Sequence, residues 1–570
     1  MVFVLRICAY FYSHFMAYKN GGGGVTPLFA IWLLKFVATS FALLFLCFYI
    51  TECLARLFKP ARIIEIIIVG CCCIAGCVDI FLLCNFHSWL NSTFFTTFLS
   101  TNLLEVREFL SVYSDILPVV LWLGGFMVIS VVFVYVAMRN RSVTSATSTL
   151  QSSVALGIVI ICSTILGIKL SKVPSALHYV ADKNMLMRYI DVISQATAQH
   201  NAYINEYKQL SYSIEHNASN TIIEKSTATI PNIIFIIGES TQRNYMSLYG
   251  YKLDTTPNLQ ALAARGNLVV FYDVISPHSH TNESLQKVLT LSNYENASTP
   301  WYMQANLLDL LNAAGYETYW LSNQEAVSVY GNAPESISRR AKYTRFSAWN
   351  DSSTSGRLYD EVLLRMLDEV KQKPADNNFY VIHLMGTHLN YKDRYPLSFA
   401  KFNTDSLTQN NLDTYLNQPL HLSPAQLQTK VHYLNAVAYN DYIVNAIIER
   451  FAHTDALVFY LSDHGDEVFD FRDFMGHAES MNSRFMVEIP FMIYMSDTFK
   501  RKHKQLAEQI TQARHLPFMT DDFIHTLLNL LFIEAKVIEE ERALFHPNYN
   551  IKRTRISGGR DYDRDLKTLK

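Results

Sequence analysis

Apolar and polar positions divide this 570-residue chain into two regions of different pattern. In the first region the apolar positions form long runs, 27–50, 63–84, 116–138 and 154–170. Each is near the roughly 20 residues of helix that a bilayer core requires. A fifth run, 2–17, is apolar and aromatic but short, and Arg6 and His14 interrupt it. No small-residue cleavage site follows it, so it fits a signal peptide poorly. The pattern predicts a transmembrane domain of five helices over 1–175. Arg56, Lys59 and Arg62 follow the run 27–50, and Arg139 and Arg141 follow 116–138. The connection 86–115 instead carries Glu105, Glu108 and Asp115 against Arg107. By the positive-inside rule the two basic connections are cytoplasmic, and the acidic one lies outside with everything after residue 170.

A linker over 176–230 comes next. Within 182–210, Met185, Met187, Ile190 and Ile193 recur at helical spacing among polar residues. This predicts an amphipathic helix, lying either on the membrane surface or against the domain that follows. Residues 211–230, rich in Ser, Thr and Asn, read as a connector. From residue 231 the period changes to short β-branched and aromatic runs separated by longer helical patterns. Strands are predicted at 232–237, 268–272, 317–321, 379–384, 457–461 and 491–494. Thr256 before Pro257 and Ser423 before Pro424 each place a capping hydroxyl ahead of a proline at the first helical position. Strands alternating with helices predict an α/β outer domain over 231–570 with a mainly parallel, helix-flanked sheet.

Composition sharpens this division. Half of the residues are apolar and only 17% are charged, against the roughly 25% of a soluble protein. The 48 basic and 50 acidic residues leave a net charge of −2, so there is no basic field of the kind that binds nucleic acid. All nine cysteines lie between Cys8 and Cys162. That excludes a disulfide scaffold or a thiolate zinc site in the outer domain, where any metal must take His, Asp, Glu or hydroxyl ligands. Cys71, Cys72, Cys73 and Cys77 fall within an apolar run and read as small packing residues. Asp79 lies near the outer end of its run and is expected to reach the interface.

In a parallel, helix-flanked sheet, ligands bind beyond the carboxyl ends of the strands. The residues just past those ends are Gly238–Ser240, Ser276–Thr281, Ser322–Gln324, Gly386–His388 and Ser462–Gly465. Asp463-His464-Gly465 alone also fits a turn, and Glu239 alone also fits a helix cap. Their convergence on one edge with hydroxyl and imidazole groups points to a metal site open to substrate. Ser240, Ser279 and Ser284 read as structural, and His278 and His280 as site-lining.

These residues carry a resemblance. NIIFIIGESTQRNYMSLYGY with TTPNL following, then SPHSHTNESLQKVLTLSN, YWLSNQ, VIHLMGTHLNYKDRYP and FYLSDHGDEVFD, together with TNLLEVREFL in the outside loop, are similar to bacterial phosphoethanolamine transferases. These belong to the alkaline phosphatase and sulfatase superfamily, and the lipopolysaccharide core-modifying members are most similar. The resemblance implies an alkaline phosphatase/sulfatase-like fold, zinc as cofactor, phosphatidylethanolamine as donor and a lipopolysaccharide acceptor, core heptose or lipid A. It implies a multi-pass protein of the bacterial inner membrane with its catalytic domain in the periplasm. Thr281 stands at the nucleophile position and would carry a phosphoethanolamine intermediate. Glu239, Asp463 and His464 would ligate zinc together with the Thr281 oxygen. His388 would act as a catalytic imidazole, and His388, His383 and His477 would meet the donor phosphate or a second zinc. Asn323 and Gln324 would line the donor site, while Thr101 and Glu105 would hold the ethanolamine head.

Three departures from the family stand out. The outer domain lacks the disulfides of lipid A-modifying relatives. Ser100 replaces a carboxylate before the outside-loop TN, and Glu325 to Ser328 lack a donor-binding lysine. An alternative is transfer of phosphoethanolamine or glycerol phosphate to a periplasmic glucan or other envelope glycan. A phosphate- or sulfate-ester hydrolase and an inactive envelope scaffold fit less well. The Gly-Glu-Ser and outside-loop Thr-Asn motifs argue against a hydrolase, no cysteine is available for formylglycine, and no proposed ligand is missing.

Overall fold

A computed structural model describes residues 223–226, 230–325, 333–348, 359–372, 374–410, 414–415, 418–419 and 422–567, with short runs at 74–76, 78–79, 81–82, 89–91, 94–95, 188–195 and 197. Nearly all of these fall in the compact unit that includes Tyr203–Lys570. Among the described residues no helix is long and apolar enough to cross a membrane. The runs 2–17, 27–50, 116–138 and 154–170, and most of 63–84, lie outside the described residues, as do Thr101 and Glu105. In the other unit Asp79 is buried, and the Arg188 guanidinium pairs with it. Arg188 begins the described helical residues of the linker, and Ile190 and Ile193 on that helix are exposed.

The outer unit is built on seven strands: β1 (Asn232–Gly238), β2 (Leu268–Phe271), β3 (Glu317–Glu325), β4 (Tyr343–Ala348), β5 (Asn378–His383), β6 (Ala456–Ser462) and β7 (Phe491–Met495). Their order across the sheet is β2-β7-β6-β1-β5-β3-β4. β1 reads as a continuous apolar run because both of its faces are covered, as in other parallel sheets between helix layers. Ile233, Phe235 and Ile237 enter one core with α2 (Thr281–Leu289), α3 (Leu307–Ala313) and α6 (Phe523–Leu530). Ile234 and Ile236 enter the other with α1 (Pro257–Ala264), α4 (Glu361–Val370) and α5 (Pro424–Glu449). Burying each such side chain is worth roughly 1.5–3 kcal/mol, so the central strands are the rigid base on which the edge loops stand.

The sheet is mixed, which modifies the sequence expectation. β6-β1, β1-β5, β5-β3 and β3-β4 pair in parallel, but β7 is antiparallel to both β6 and β2. Between β6 and β7 the chain makes only short strands at Glu467–Val468 and Met475–Gly476, a single helical turn at Glu479–Met481 and the short helix Arg484–Val487. With no long crossover helix to carry it to the opposite edge, it re-enters the sheet running back, as an antiparallel connection allows. β4 escapes the pattern altogether: Tyr343–Ala348 is YTRFSA, a polar and partly exposed edge strand with one neighbour. The connector also contains a strand, Ile223–Ser226, which pairs with Ile533–Ala535.

The two capping expectations part company. Ser423 caps α5, accepting from the Gln426 N–H in a full capping box. Thr256 makes no cap bond to α1; its hydroxyl instead accepts from the Leu248 N–H at 2.8 Å. The first turn of α1 is capped from α5, where Asp441 accepts the N–H groups of Asn258 at 3.1 Å and Leu259 at 2.9 Å. Asp441→Ala is expected to destabilise the outer unit by about 1–2 kcal/mol, the usual cost of a lost cap, against no more than about 1 kcal/mol for Thr256→Ala. Thermal unfolding of the two variants would rank them, and equal shifts would contradict this assignment.

Candidate active site

The strand register delivers two carboxylates to one place. Ser462 at the end of β6 lies opposite Gly238 at the end of β1, so the next residues, Asp463 and Glu239, emerge side by side. Both are fully buried, as is His464. One ligand atom from each of Glu239, Asp463 and His464 lies within 4.8 Å of the others. His464 Nε2 is 3.4 Å from Glu239 Oε1 and 3.3 Å from Asp463 Oδ2.

The fourth group arrives from a different element. Thr281 is the first residue of α2, and its Oγ1 lies 3.2 Å from both Glu239 carboxylate oxygens and 3.2 Å from His464 Nε2. A hydroxyl at a helix start faces the positive end of the helix dipole, which favours an anionic group there.

Electrostatics explains what such a cluster demands. Burial, reinforced by Asp463, pushes the Glu239 carboxyl upward from its ordinary range. Burial opposes charge on His464, but Asp463 and Glu239 overcome it and push the imidazole up to about 10. The buried carboxylates therefore call for a compensating positive charge. The donor set fits a divalent cation. Asp463 Oδ2 is buried with no hydrogen-bond partner among the described residues. His464 Nδ1 is 3.1 Å from the Gly465 carbonyl, a geometry in which Nδ1–H donates and Nε2 faces the carboxylates, where a bound cation would take the place of the Nε2 proton. Glu239, Asp463, His464 and the Thr281 hydroxyl supply the oxygen and imidazole ligands that zinc accepts.

The surrounding residues hold these groups in register. Ser240 sits at φ 58, a left-handed conformation that costs a non-glycine residue roughly 1–2 kcal/mol. Three bonds fix it there: its N–H donates to Asp463 Oδ1 (3.0 Å), its Oγ donates to Glu239 Oε1 (2.8 Å), and its carbonyl accepts from Tyr433 (2.8 Å). Ser240 thus orients both carboxylates. Ser284 donates to the Asp463 carbonyl at 2.6 Å, a structural role as expected. Thr387 donates through both its N–H and its Oγ1 to the Glu239 carbonyl, each at 3.0 Å, which sets His388 in the loop beside the Glu239 backbone.

His477 meets the cluster by another route. Its Nδ1 is 2.7 Å from Asp466 Oδ1, and its ring centroid is 4.1 Å from that of His464. The other Asp466 oxygen accepts from Tyr391 at 2.8 Å. His464, Asp466 and His477 form a second group with metal-ligand spacing. His383 lies in β5, buried and forced neutral by burial, its pKa down at about 4 despite the pull of Asp463. Asn323 and Gln324 are not past the strand end but within β3, whose register shifts between Ser322 and Glu325. Asn323 donates to Asp360 at 2.8 Å and Gln324 to the Leu384 carbonyl at 2.9 Å.

Sequence reasoning passed over Asp466, Asp360 and Glu479. Asp360 accepts from Asn323 and from the N–H groups of Met385 and Gly386, so it shapes the turn that leads to His388. Asp466 carried a signal, being the second carboxylate of the DHGDE run. Asp360 and Glu479 carried none, since their partners are distant in sequence.

Comparison with known proteins places the chain in a family. The sequence model of the family described as Sulfatase matches residues 231–533. Phosphoethanolamine transferase EptC of Escherichia coli (strain K12) is 32% identical over 324 residues, 56% of this chain and 53% of that protein. The chain therefore spans about half the length of the curated relatives it matches. Among solved structures, the C-terminal periplasmic domain of EcEptC from Escherichia coli in complex with Zn is 30% identical, with a TM-score of 0.55, over 61% of this chain and 97% of that one. The integral membrane protein lipooligosaccharide phosphoethanolamine transferase A (EptA) from Neisseria meningitidis is 18% identical, a likeness of fold alone. Its TM-score is 0.59, over 94% of this chain and 95% of that one.

Gly386 tests how tightly the site is assembled. It has φ +52, and a Cβ there would stand 2.9 Å from both the N and the O of Glu239. Gly386→Ala must push the two loops apart, at an expected cost of about 1–3 kcal/mol. Thermal unfolding and retained divalent metal should both fall; a variant that matches the unsubstituted protein in both would contradict the close approach.

Proposed function

The chain belongs to the sulfatase family, and from that membership and the site geometry we propose that it is a membrane-anchored, zinc-dependent phosphoethanolamine transferase. In this reading it moves phosphoethanolamine from phosphatidylethanolamine to a lipopolysaccharide acceptor, core heptose or lipid A. The observation that carries the proposal is the Thr281 hydroxyl 3.2 Å from both Glu239 oxygens and from His464 Nε2. The curated relative named a phosphoethanolamine transferase and the zinc complex of the EcEptC domain support the chemistry. The fold likeness to an integral membrane protein across most of the chain supports an inner-membrane location. It also supports a membrane domain over 1–175, a linker over 176–230 and a periplasmic catalytic domain over 231–570.

Glu239, Asp463, His464 and Thr281 would hold the zinc. Bound there, it supplies Lewis-acid chemistry, lowering the pKa of the threonine hydroxyl and neutralising charge on a phosphoryl oxygen. Thr281 Oγ1 attacks the phosphorus of the donor. The new Oγ–P bond forms as the bond from phosphorus to the diacylglycerol oxygen breaks, and His388 protonates that oxygen. Such proton transfer typically contributes about 10²- to 10⁴-fold. The N-terminus of α2 faces the anionic phosphoryl group, and His477, oriented by Asp466, offers Nε2 on the same side. In the second half-reaction an acceptor hydroxyl attacks the phosphorus and passes its proton to His388, left neutral by the first step, as the Oγ–P bond breaks and returns the Thr281 oxygen to its starting state. Thr101 and Glu105 are proposed to hold the ethanolamine ammonium, on the strength of the family resemblance.

The test is direct. Protein purified from its membrane should contain zinc, and peptide mass spectrometry should find a phosphoethanolamine adduct on Thr281. Thr281→Ala should remove the adduct and lower turnover by at least ~10³-fold, as loss of a nucleophile does. His464→Ala should lower the zinc content. Zinc-free protein with no adduct would sink the proposal. Mass spectrometry of lipopolysaccharide from cells with and without the gene would then place the added group on heptose or lipid A, and its appearance on a glucan instead would refute the acceptor.

A further inference from the structure

The family match ends at residue 533, but the chain continues through a C-terminal hairpin, Ile556–Ser557 paired with Arg560–Asp561. We propose that this hairpin is a brace that sets the position of the Thr281 nucleophile, acting through Glu479, so that Gly558 and Glu479 are positioning residues for the transfer. The inference rests on Thr281 being the nucleophile.

Glu479 ties two loops of the site together. Its Oε1 is 3.1 Å from His278 Nδ1, and its Oε2 accepts from the Ser279 N–H at 3.2 Å and the Ser279 hydroxyl at 2.9 Å. Its own N–H donates to His280 Nε2 at 3.3 Å. Every one of these partners lies in the three residues that run into Thr281. Glu479 itself sits two residues beyond His477, whose ring is 5.2 Å from that of His280. A single carboxylate therefore couples the segment carrying the nucleophile to the segment carrying an imidazole of the site.

The hairpin turn backs that carboxylate. Gly558 and Gly559 have φ +56 and φ +75, the paired left-handed geometry of a tight hairpin turn. The Gly558 N–H donates to the Pro277 carbonyl at 3.0 Å, on the nucleophile segment. Asn482 donates to the Ser557 carbonyl at 3.3 Å, and Arg560 donates to the Asn482 carbonyl at 3.0 Å, on the His477 segment. A Cβ on Gly558 would lie 1.7 Å from Glu479 Oε1, while a Cβ on Gly559 would meet nothing within 4 Å. The hairpin is firmly seated. Arg555 pairs with Asp273 and Asp563, and the buried Tyr562 donates to Glu488 at 2.7 Å.

The two glycines make a matched pair, because alanine at either incurs the left-handed penalty and only alanine at 558 pushes on Glu479. Misplacing a reacting group by on the order of 1 Å can cost ~10²-fold in rate. Full-length protein in phosphatidylethanolamine vesicles would be followed by single-turnover formation of the Thr281 adduct. The rate then reports positioning, and the amplitude reports the fraction of competent protein. Gly558→Ala is expected to slow adduct formation 10- to 100-fold, and Gly559→Ala to stay within twofold of the unsubstituted chain. Gly558→Ala combined with Glu479→Ala should be no slower than Glu479→Ala alone, since the clashing carboxylate is gone and the Asn482 amide nitrogen, 2.9 Å from such a Cβ, is the end of a side chain that can swing into the vacated space. If Gly558→Ala does not accumulate as folded protein, Glu479→Gln decides, with an expected slowing of about tenfold at unchanged amplitude. Equal rates for the two glycine variants, additive losses in the double variant, a loss of amplitude alone, or a Glu479→Gln rate equal to the unsubstituted one would overturn the brace. An unsubstituted chain that forms no adduct would remove the proposed function, and the brace with it.

Discussion

Two carboxylates buried side by side at the ends of neighbouring parallel strands are the constraint on which the site depends. β1 and β6 are in register, so Glu239 and Asp463 cannot avoid one another without breaking the central pairing of the sheet. At an effective dielectric near 20, two like charges about 4 Å apart repel by roughly 4 kcal/mol. Much of the local structure answers that repulsion. Ser240 takes a strained backbone conformation and gives its N–H to one carboxylate and its hydroxyl to the other. His464 gives its own N–H to Asp463 at 2.7 Å and presents its ring to both. The remaining deficit of positive charge is what a divalent cation makes good.

The strands supply only part of the site. Parallel strands deliver Glu239, Asp463, His464 and the loop bearing His388 to one edge as a direct result of sheet geometry. Thr281 has no such guarantee, since it follows a segment that leaves the sheet after β2 and returns to the edge at the start of α2. Its placement depends on tertiary bonds: the Ser276 N–H to the Val487 carbonyl at 2.9 Å, Ser279 to Glu479, and Ser284 to the Asp463 carbonyl. The candidate metal ligands are thus fixed by secondary structure and Thr281 by packing.

That difference explains what could be read before the fold was seen. Six of the seven strands announced themselves because strands covered on both faces carry apolar runs, and the polar residues just past those runs marked the candidate site. Glu239, Asp463 and His464 were legible as candidates for that reason. β4 was not, because an edge strand reading YTRFSA satisfies no burial requirement that would mark it. The reversed direction of β7 was hidden because direction depends on what the connection does, not on the strand's own residues. Asp360, Glu479 and Asp441 were invisible for a third reason: a carboxylate's role is set by the N–H groups it meets, and those lie 25 residues away for Asp360 and Met385, and 200 for Glu479 and Ser279. Resemblance to a family supplied roles for Asn323 and Gln324, whose amides donate within the protein, to Asp360 and to the Leu384 carbonyl.

Thr281 also shows how a shared scaffold narrows to one chemistry. The described cluster sets its hydroxyl 3.2 Å from both Glu239 carboxylate oxygens and from His464 Nε2, and the hydroxyl has a single proton to give. With His464 protonated, Nε2–H would donate to Thr281 Oγ1 while the hydroxyl proton goes to Glu239, so the oxygen is engaged on both sides. A cation held by Glu239, Asp463 and His464 would bring about a reversal of that polarity, supplying Lewis-acid chemistry that makes the hydroxyl proton easier to lose. A threonine suits this reversal better than a serine, since branching at Cβ restricts χ1 and limits the rotation that could carry the oxygen out of line. Under the proposed function the buried acids would therefore do more than hold a metal: they would keep Thr281 inert in the cation-free protein and reserve its activation for the loaded one.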